Sequence, residues 1–125
     1  MAERCRNVVV VDDDVEMGKA VARLLKASGF HALVFSSSQA LIGASAVAPA
    51  DCFILDIHMP GMSGFELADR LRALGLGAPI IFITAHDDPS SRKRARDSGA
   101  VGYVLKPFGS ESLLPLLAEA FAQDR

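Results

Sequence analysis

The sequence is poor in the features that would place a chain outside the cell or across a membrane. Its 125 residues hold two cysteines, Cys5 and Cys52, with no CxxC pair and no zinc-like spacing. They therefore read as free thiols in a reducing compartment, which excludes a disulfide framework and a zinc scaffold. The opening Met1-Ala-Glu-Arg-Cys-Arg lacks the apolar stretch of a signal peptide. No apolar run approaches the ~20 residues of a membrane span, so the expected location is cytoplasmic, with no membrane contact. Charge of one sign is also scarce: the net charge is −2, which gives no bulk attraction to nucleic acid. Internal repeats and low-complexity segments are absent. A composition that is half hydrophobic and 22% charged argues for a compact soluble fold, and the length suits one domain over residues 1–125.

What the chain does have is a set of short runs rich in β-branched or aromatic residues: VVVV (8–11), ALVF (32–35), CFIL (52–55), IIFI (80–83) and VGYVL (101–105). They do not alternate with polar residues, and such runs suit strands covered on both faces. Four of them stop at residues fit for phosphate or metal chemistry: the first at Asp12 and Asp13, the third at Asp56, the fourth at Thr84 and the fifth at Lys106.

Helical patterns lie between the runs. Met17, Val21, Leu24, Leu25 and Ser28 follow an amphipathic period, and Gly29 stands where a C-terminal cap belongs. Ser63 and Glu66 form a capping-box pair ahead of Leu67, Leu71 and Leu74, with Gly75 as a stop. A second helix is expected from about Ser38 to Ala46, weakened by Gly43. A fourth (α4) should begin near Pro89 and stop before Gly99, and a last one (α5) should run from about Ser110 to Gln123. Pro115 conflicts with that last assignment, since proline inside a helix costs about 3 kcal/mol. A start delayed to about Ser112 would place it harmlessly in the first turn.

Strand and helix thus alternate five times. That order implies an α/β fold of three layers, a doubly wound (βα)5 unit with a five-stranded parallel sheet and right-handed crossovers. The flavodoxin-like strand order 2-1-3-4-5 puts the switch point between strands 1 and 3, where Asp12, Asp13 and Asp56 end. Three carboxylates gathered there would repel by about 4 kcal/mol per pair at ~4 Å and an effective dielectric of about 20. A cation should occupy the gap. Oxygen donors without cysteine or paired histidine favour a hard ion such as Mg²⁺, and Lys106 brings a second positive charge. Metal, ammonium and the Thr84 hydroxyl around one carboxylate suit a phosphoryl group, with Asp56 as the favoured nucleophile.

These motifs, VVVVDDD, LDIHMPGMSG, ITA and GYVLKPF in order, resemble the receiver domain of bacterial response regulators, the CheY-like fold, over nearly the whole chain. The resemblance implies that Asp56 accepts a phosphoryl group from a sensor histidine kinase or a phosphotransfer protein. It implies that Asp13 and Asp56 bind Mg²⁺ directly, Asp12 through water and His58 through its backbone carbonyl. Thr84 and Lys106 would hold the phosphoryl group, Tyr103 would be the aromatic switch that moves with Thr84, and the Lys106–Pro107 bond would be cis. Output would pass through the face formed by α4, the fifth run (β5) and α5, to an output domain or a second copy of the chain. Such a domain catalyses only its own phosphorylation and slow dephosphorylation and is not a conventional enzyme.

Some residues carry a plainer reading beside the functional one. His58 and His86 stand two residues beyond Asp56 and Thr84. The resemblance gives those positions a role in tuning phosphoryl loss, whereas the residues alone suit solvated loops, and a transition-metal site made by both lacks further ligands. Arg92, Lys93, Arg94 and Arg96 crowd the fourth helix, and a solvated face and a partner contact both fit them. Direct DNA binding does not, because no reading helix or stacking aromatics accompany four basic residues. Asp14 suits a helix N-cap, and Gly61 and Gly64 shape the turn after Asp56.

The alternative function is a pseudo-receiver that binds partners without phosphorylation; Asp13, Asp56, Thr84 and Lys106 all being intact speaks against it. A metal-dependent phosphohydrolase would want a second acid two residues after Asp56, where His58 stands. A flavodoxin-like electron carrier would want phosphate-binding donors after the first strand, where this chain has acids. The cognate kinase, the output, the oligomeric state and whether the chain stands alone are left open by the sequence.

Overall fold

A computed structural model describes residues 6–44 and 50–122. Strands and helices alternate from β1 (Asn7–Val11), α1 (Val15–Ala27), β2 (His31–Phe35), α2 (Ser38–Gly43) and β3 (Cys52–Asp56) to α3 (Gly64–Ala73), β4 (Ile80–Thr84), α4 (Pro89–Asp97), β5 (Gly102–Leu105) and α5 (Ser110–Ala122). All four strand pairings are parallel, and the sheet order is β2-β1-β3-β4-β5, as the alternation predicts.

The two-residue period of a strand sorts the core into two layers. Val9, Val11, Phe53, Leu55 and Phe82 point to one face, where they meet Leu41, Phe65, Leu67 and Leu71 of α2 and α3. Val8, Val10, Ile54, Ile81 and Ile83 point to the other, against Val21 and Leu25 of α1 and Leu113 and Leu117 of α5. Every residue of β3 and β4 is buried. Covering on both faces does not extend to β2, which lies at the sheet edge with Leu33 53% exposed. The reason is positional. A hydrophobic run records strand propensity and not its place in the sheet, and β2 pairs with β1 alone.

The helix ends obey their capping chemistry. Asp14 caps α1 by accepting from the Glu16 and Met17 N–H groups, and the Ser63–Glu66 capping box opens α3. Gly29 and Gly75 adopt the left-handed conformation that closes α1 and α3. Within the described residues α2 ends at Gly43, and its expected extension to Ala46 falls outside them. The delayed start of the last helix is corrected: α5 begins at Ser110 and Pro115 lies inside it. The Gly109 carbonyl accepts from the Ser112 and Leu113 N–H groups, which sets the helix early enough to bury Leu113, Leu117 and Ala120. Pro115 and Glu111, whose carbonyl loses its donor, are both exposed, so the lost bond is not at a buried site and the local penalty is tolerated.

Candidate functional site

The parallel register delivers the predicted residues to one edge of the sheet. Asp56 closes β3 opposite Ile83, and Thr84 closes β4 opposite Leu105, one residue before Lys106. Asp12 and Asp13 follow β1, beside β3 at the switch point. The Lys106–Pro107 peptide bond is cis.

Asp12, Asp13 and Asp56 each present a carboxylate oxygen within 4.8 Å of the others. Asp12 and Asp56 are buried, at 1% and 3% exposure, whereas Asp13 is open to solvent. The Lys106 ammonium sits 2.9 Å from Asp12 Oδ2 and 3.3 Å from Asp56 Oδ2. Asp12 Oδ1 accepts the Asp14 N–H at 2.9 Å. Its Oδ2, although close to the ammonium, is buried without a well-directed hydrogen bond. A buried, under-satisfied carboxylate oxygen beside two further carboxylates fits a hard divalent cation, for which oxygen-only donors are the preferred set.

Electrostatics give the same indication. Burial first, and then the neighbouring Asp12, push the Asp56 carboxyl up to about 7, with Lys106 opposing them. Burial pulls Lys106 down, but its contacts with Asp12 and Asp56 outweigh that and leave it above its ordinary value, protonated. One ammonium therefore does not neutralise the cluster.

Gly64, the first residue of α3, bears directly on the geometry of Asp56. A Cβ there would lie 2.3 Å from the Asp56 carbonyl oxygen and 3.0 Å from its carbonyl carbon. The Gly64 N–H also donates to the Ile57 carbonyl at 2.9 Å. Motif reading assigns this glycine to the turn; the close approach of α3 to the Asp56 backbone is a tertiary fact no local pattern carries. In Gly64→Ala the backbone at Asp56 must shift, costing about 1–3 kcal/mol. We expect a lower melting temperature together with weaker Mg²⁺ binding, measured by calorimetry; unaltered Mg²⁺ affinity would show that the contact does not position the carboxylate.

The remaining candidates surround this cluster. The Thr84 hydroxyl is buried and turned toward its own loop, donating to the His86 carbonyl at 3.1 Å and accepting the His86 N–H at 3.0 Å. Tyr103 donates its hydroxyl to the same carbonyl at 3.3 Å. The exposed His58 and His86 rings meet edge to face with centroids 5.5 Å apart. The basic run on α4 is exposed throughout, and three of its four residues have partners. Arg92 forks onto Asp87, Lys93 pairs with Asp97, and Arg94 lies over the Phe65 ring. Asp88, unremarked in the sequence, caps α4 by accepting from the Ser91 N–H. An acid immediately before proline at a helix start was the available signal for it.

The family model for the response regulator receiver domain matches residues 8–118. Nodulation protein W of Bradyrhizobium diazoefficiens is 34% identical over 94% of this chain and 52% of its own length. The chain thus spans about half the length of the curated relatives it matches. Among solved structures, a response regulator receiver protein from Burkholderia phymatum is 38% identical with a TM-score of 0.81, covering 94% of this chain and 95% of that one. Vibrio cholerae chemotaxis protein CheY4 is 27% identical with a TM-score of 0.85, covering 94% and 99%. Sheet order, strand-end residues and family match agree: this chain belongs to the response regulator receiver domains of two-component systems.

Proposed function

We propose that the chain is a phosphoacceptor switch whose nucleophile is Asp56. The observation that carries this reading is the placement of the Lys106 ammonium between Asp12 and Asp56, with the Thr84 hydroxyl at the adjoining strand end. A carboxylate oxygen of Asp56 attacks phosphorus in a phosphohistidine of a sensor kinase or phosphotransfer protein. The new O–P bond makes an acyl phosphate, the P–N bond breaks, and the imidazole keeps the electron pair and takes up a proton. Lys106 balances charge on the transferred oxygens, and Thr84 leaves the His86 carbonyl to donate to one of them.

Asp13 and Asp56 would hold Mg²⁺ directly, Asp12 through water and His58 through its main-chain carbonyl. The ion would supply the charge neutralisation that Lys106 alone does not. Output would follow from a shift of Thr84 and Tyr103 that alters the α4-β5-α5 face for an output domain or a second copy. Reactivity confined to its own phosphorylation and dephosphorylation sets such a domain apart from a conventional enzyme. None of the helices among the described residues is long and apolar enough to cross a membrane, and a cytoplasmic site of action suits a kinase-fed switch.

The test is binding of beryllofluoride, which mimics the aspartyl phosphate, followed through the amide resonances around Asp56, Thr84 and Tyr103. Saturable, Mg²⁺-dependent shifts are expected. Their absence would leave the pseudo-receiver reading in place. His58 and His86 lie two residues beyond the ends of β3 and β4, and their rings meet edge to face. In His86→Ala we expect water to reach the phosphoryl group more easily and the label to be lost several-fold faster; an unchanged half-life would retire the tuning role.

A further inference from the structure

One main-chain carbonyl, that of His86, is the acceptor for both Thr84 and Tyr103. When Thr84 turns to a phosphoryl group it vacates that acceptor, and the carbonyl then depends on Tyr103 alone. Whether Tyr103 stays in place is decided by its other contacts. The ring packs partly against the core layer that holds Phe82 and Ala95. On its outer side the Arg92 guanidinium lies 4.9 Å from the ring centroid. Arg92 is itself fixed by two parallel bonds to Asp87, Nε to Oδ1 at 2.5 Å and Nη2 to Oδ2 at 3.0 Å. A bidentate fork holds a guanidinium in one plane, and a fixed plane can stack on an aromatic face. Asp87 belongs to the loop that also carries His86, so Arg92, Tyr103, His86 and Asp87 close a ring of contacts around the turn between β4 and α4.

We propose that Arg92, forked onto Asp87, clamps Tyr103 in the one of its two switch positions whose hydroxyl reaches the His86 carbonyl, so that this carbonyl keeps a donor when the shift withdraws Thr84. The clamp thereby shifts the switch toward the conformation that accepts phosphoryl. Arg92 touches no reacting atom and is a positioning residue acting through Tyr103. The proposal rests on the receiver reading for its consequence, but the clamp itself is a property of the unphosphorylated protein. The pairing is half exposed, with Arg92 and Asp87 side chains at 49% and 41%. An isolated surface ion pair of that kind contributes little, so the effect must come from the stack and the fork together.

Tyr103 is the only tyrosine and the chain has no tryptophan, so intrinsic emission reports this ring alone. Acrylamide quenching is measured on wild type, Arg92→Ala, Asp87→Ala, the double variant and Arg92→Lys, before and after acetyl phosphate with Mg²⁺. Arg92→Ala should raise the quenching constant about two-fold or more as the covering cation leaves. It should also slow phosphoryl uptake several-fold. Asp87→Ala should reproduce most of both changes, the double variant should add little, and lysine should not restore either. Unchanged quenching in Arg92→Ala, additive effects of the two substitutions, or full rescue by lysine would each overturn the clamp. If wild type takes up no phosphoryl group, the receiver reading fails, while the quenching series still decides the clamp.

Discussion

Asp56→Asn is expected to melt at a higher temperature than wild type in Mg²⁺-free buffer at pH 8, while losing all capacity to accept a phosphoryl group. In the wild type, burial and Asp12 raise the Asp56 carboxyl from 3.8 to about 7 even with Lys106 alongside. An acid raised in the folded state favours folding least where it is ionised. Between pH ~4 and 7 the native protein binds the extra proton, so stability falls as pH rises through that window. Asparagine carries no such charge. The difference between variant and wild type should vanish near pH 4, grow toward pH 7 and level off above it. A shift of this size limits the effect to about 4 kcal/mol, and we expect about half of that, or roughly 5–10 °C in melting temperature. Saturating Mg²⁺ should narrow the gap by stabilising the wild type. Equal melting curves across pH 4–8 without Mg²⁺ would contradict the strained cluster.

Lys106→Ala is expected to have the second large effect. The ammonium is the one cation paired with Asp12 and Asp56 among the described residues. Both carboxylates are buried, and removing the partner of a buried charge typically costs about 3–5 kcal/mol. Loss of the ammonium lifts the Asp56 carboxyl further, so part of that cost is recovered as Asp56 protonates, and Mg²⁺ binding weakens at neutral pH, since a ligand carboxylate must be ionised. Phosphoryl uptake from acetyl phosphate should fall by about 10²–10³-fold, the usual loss when a preorganised charge at a developing anion is removed. The initial rate at saturating Mg²⁺ measures this. A rate within about two-fold of wild type would exclude Lys106 from the chemistry.

Much of the site was legible because it depends on local rules. An apolar run predicts a strand, and its last residue predicts what reaches the sheet edge. Parallel strands then bring Asp12, Asp13, Asp56, Thr84 and Lys106 together without any knowledge of side-chain contacts. Helices α1 and α3 were equally clear, since their caps and periods are written within one turn of each end. What was not legible is tertiary. Leu33 belongs to a hydrophobic run like the others, and its exposure follows from β2 being an edge. Pro115 argued for a late helix start, and the need to bury Leu113 overrode it. Arg92 looked like one member of a basic run, and only the fold places its guanidinium between Asp87 and the Tyr103 ring. The Gly64 contact with the Asp56 backbone likewise exists only once α3 has docked.

The central claim is that this cluster makes Asp56 a phosphoryl acceptor. Its most direct measurement is intact mass after incubation with Mg²⁺ and acetyl phosphate, on wild type and Asp56→Asn side by side. Wild type is expected to gain the mass of one phosphoryl group, to lose it on standing, and to gain nothing when Mg²⁺ is chelated, while Asp56→Asn gains nothing under any condition. A wild type that takes up no phosphoryl group, or an Asp56→Asn variant that takes one up as readily, would contradict the account.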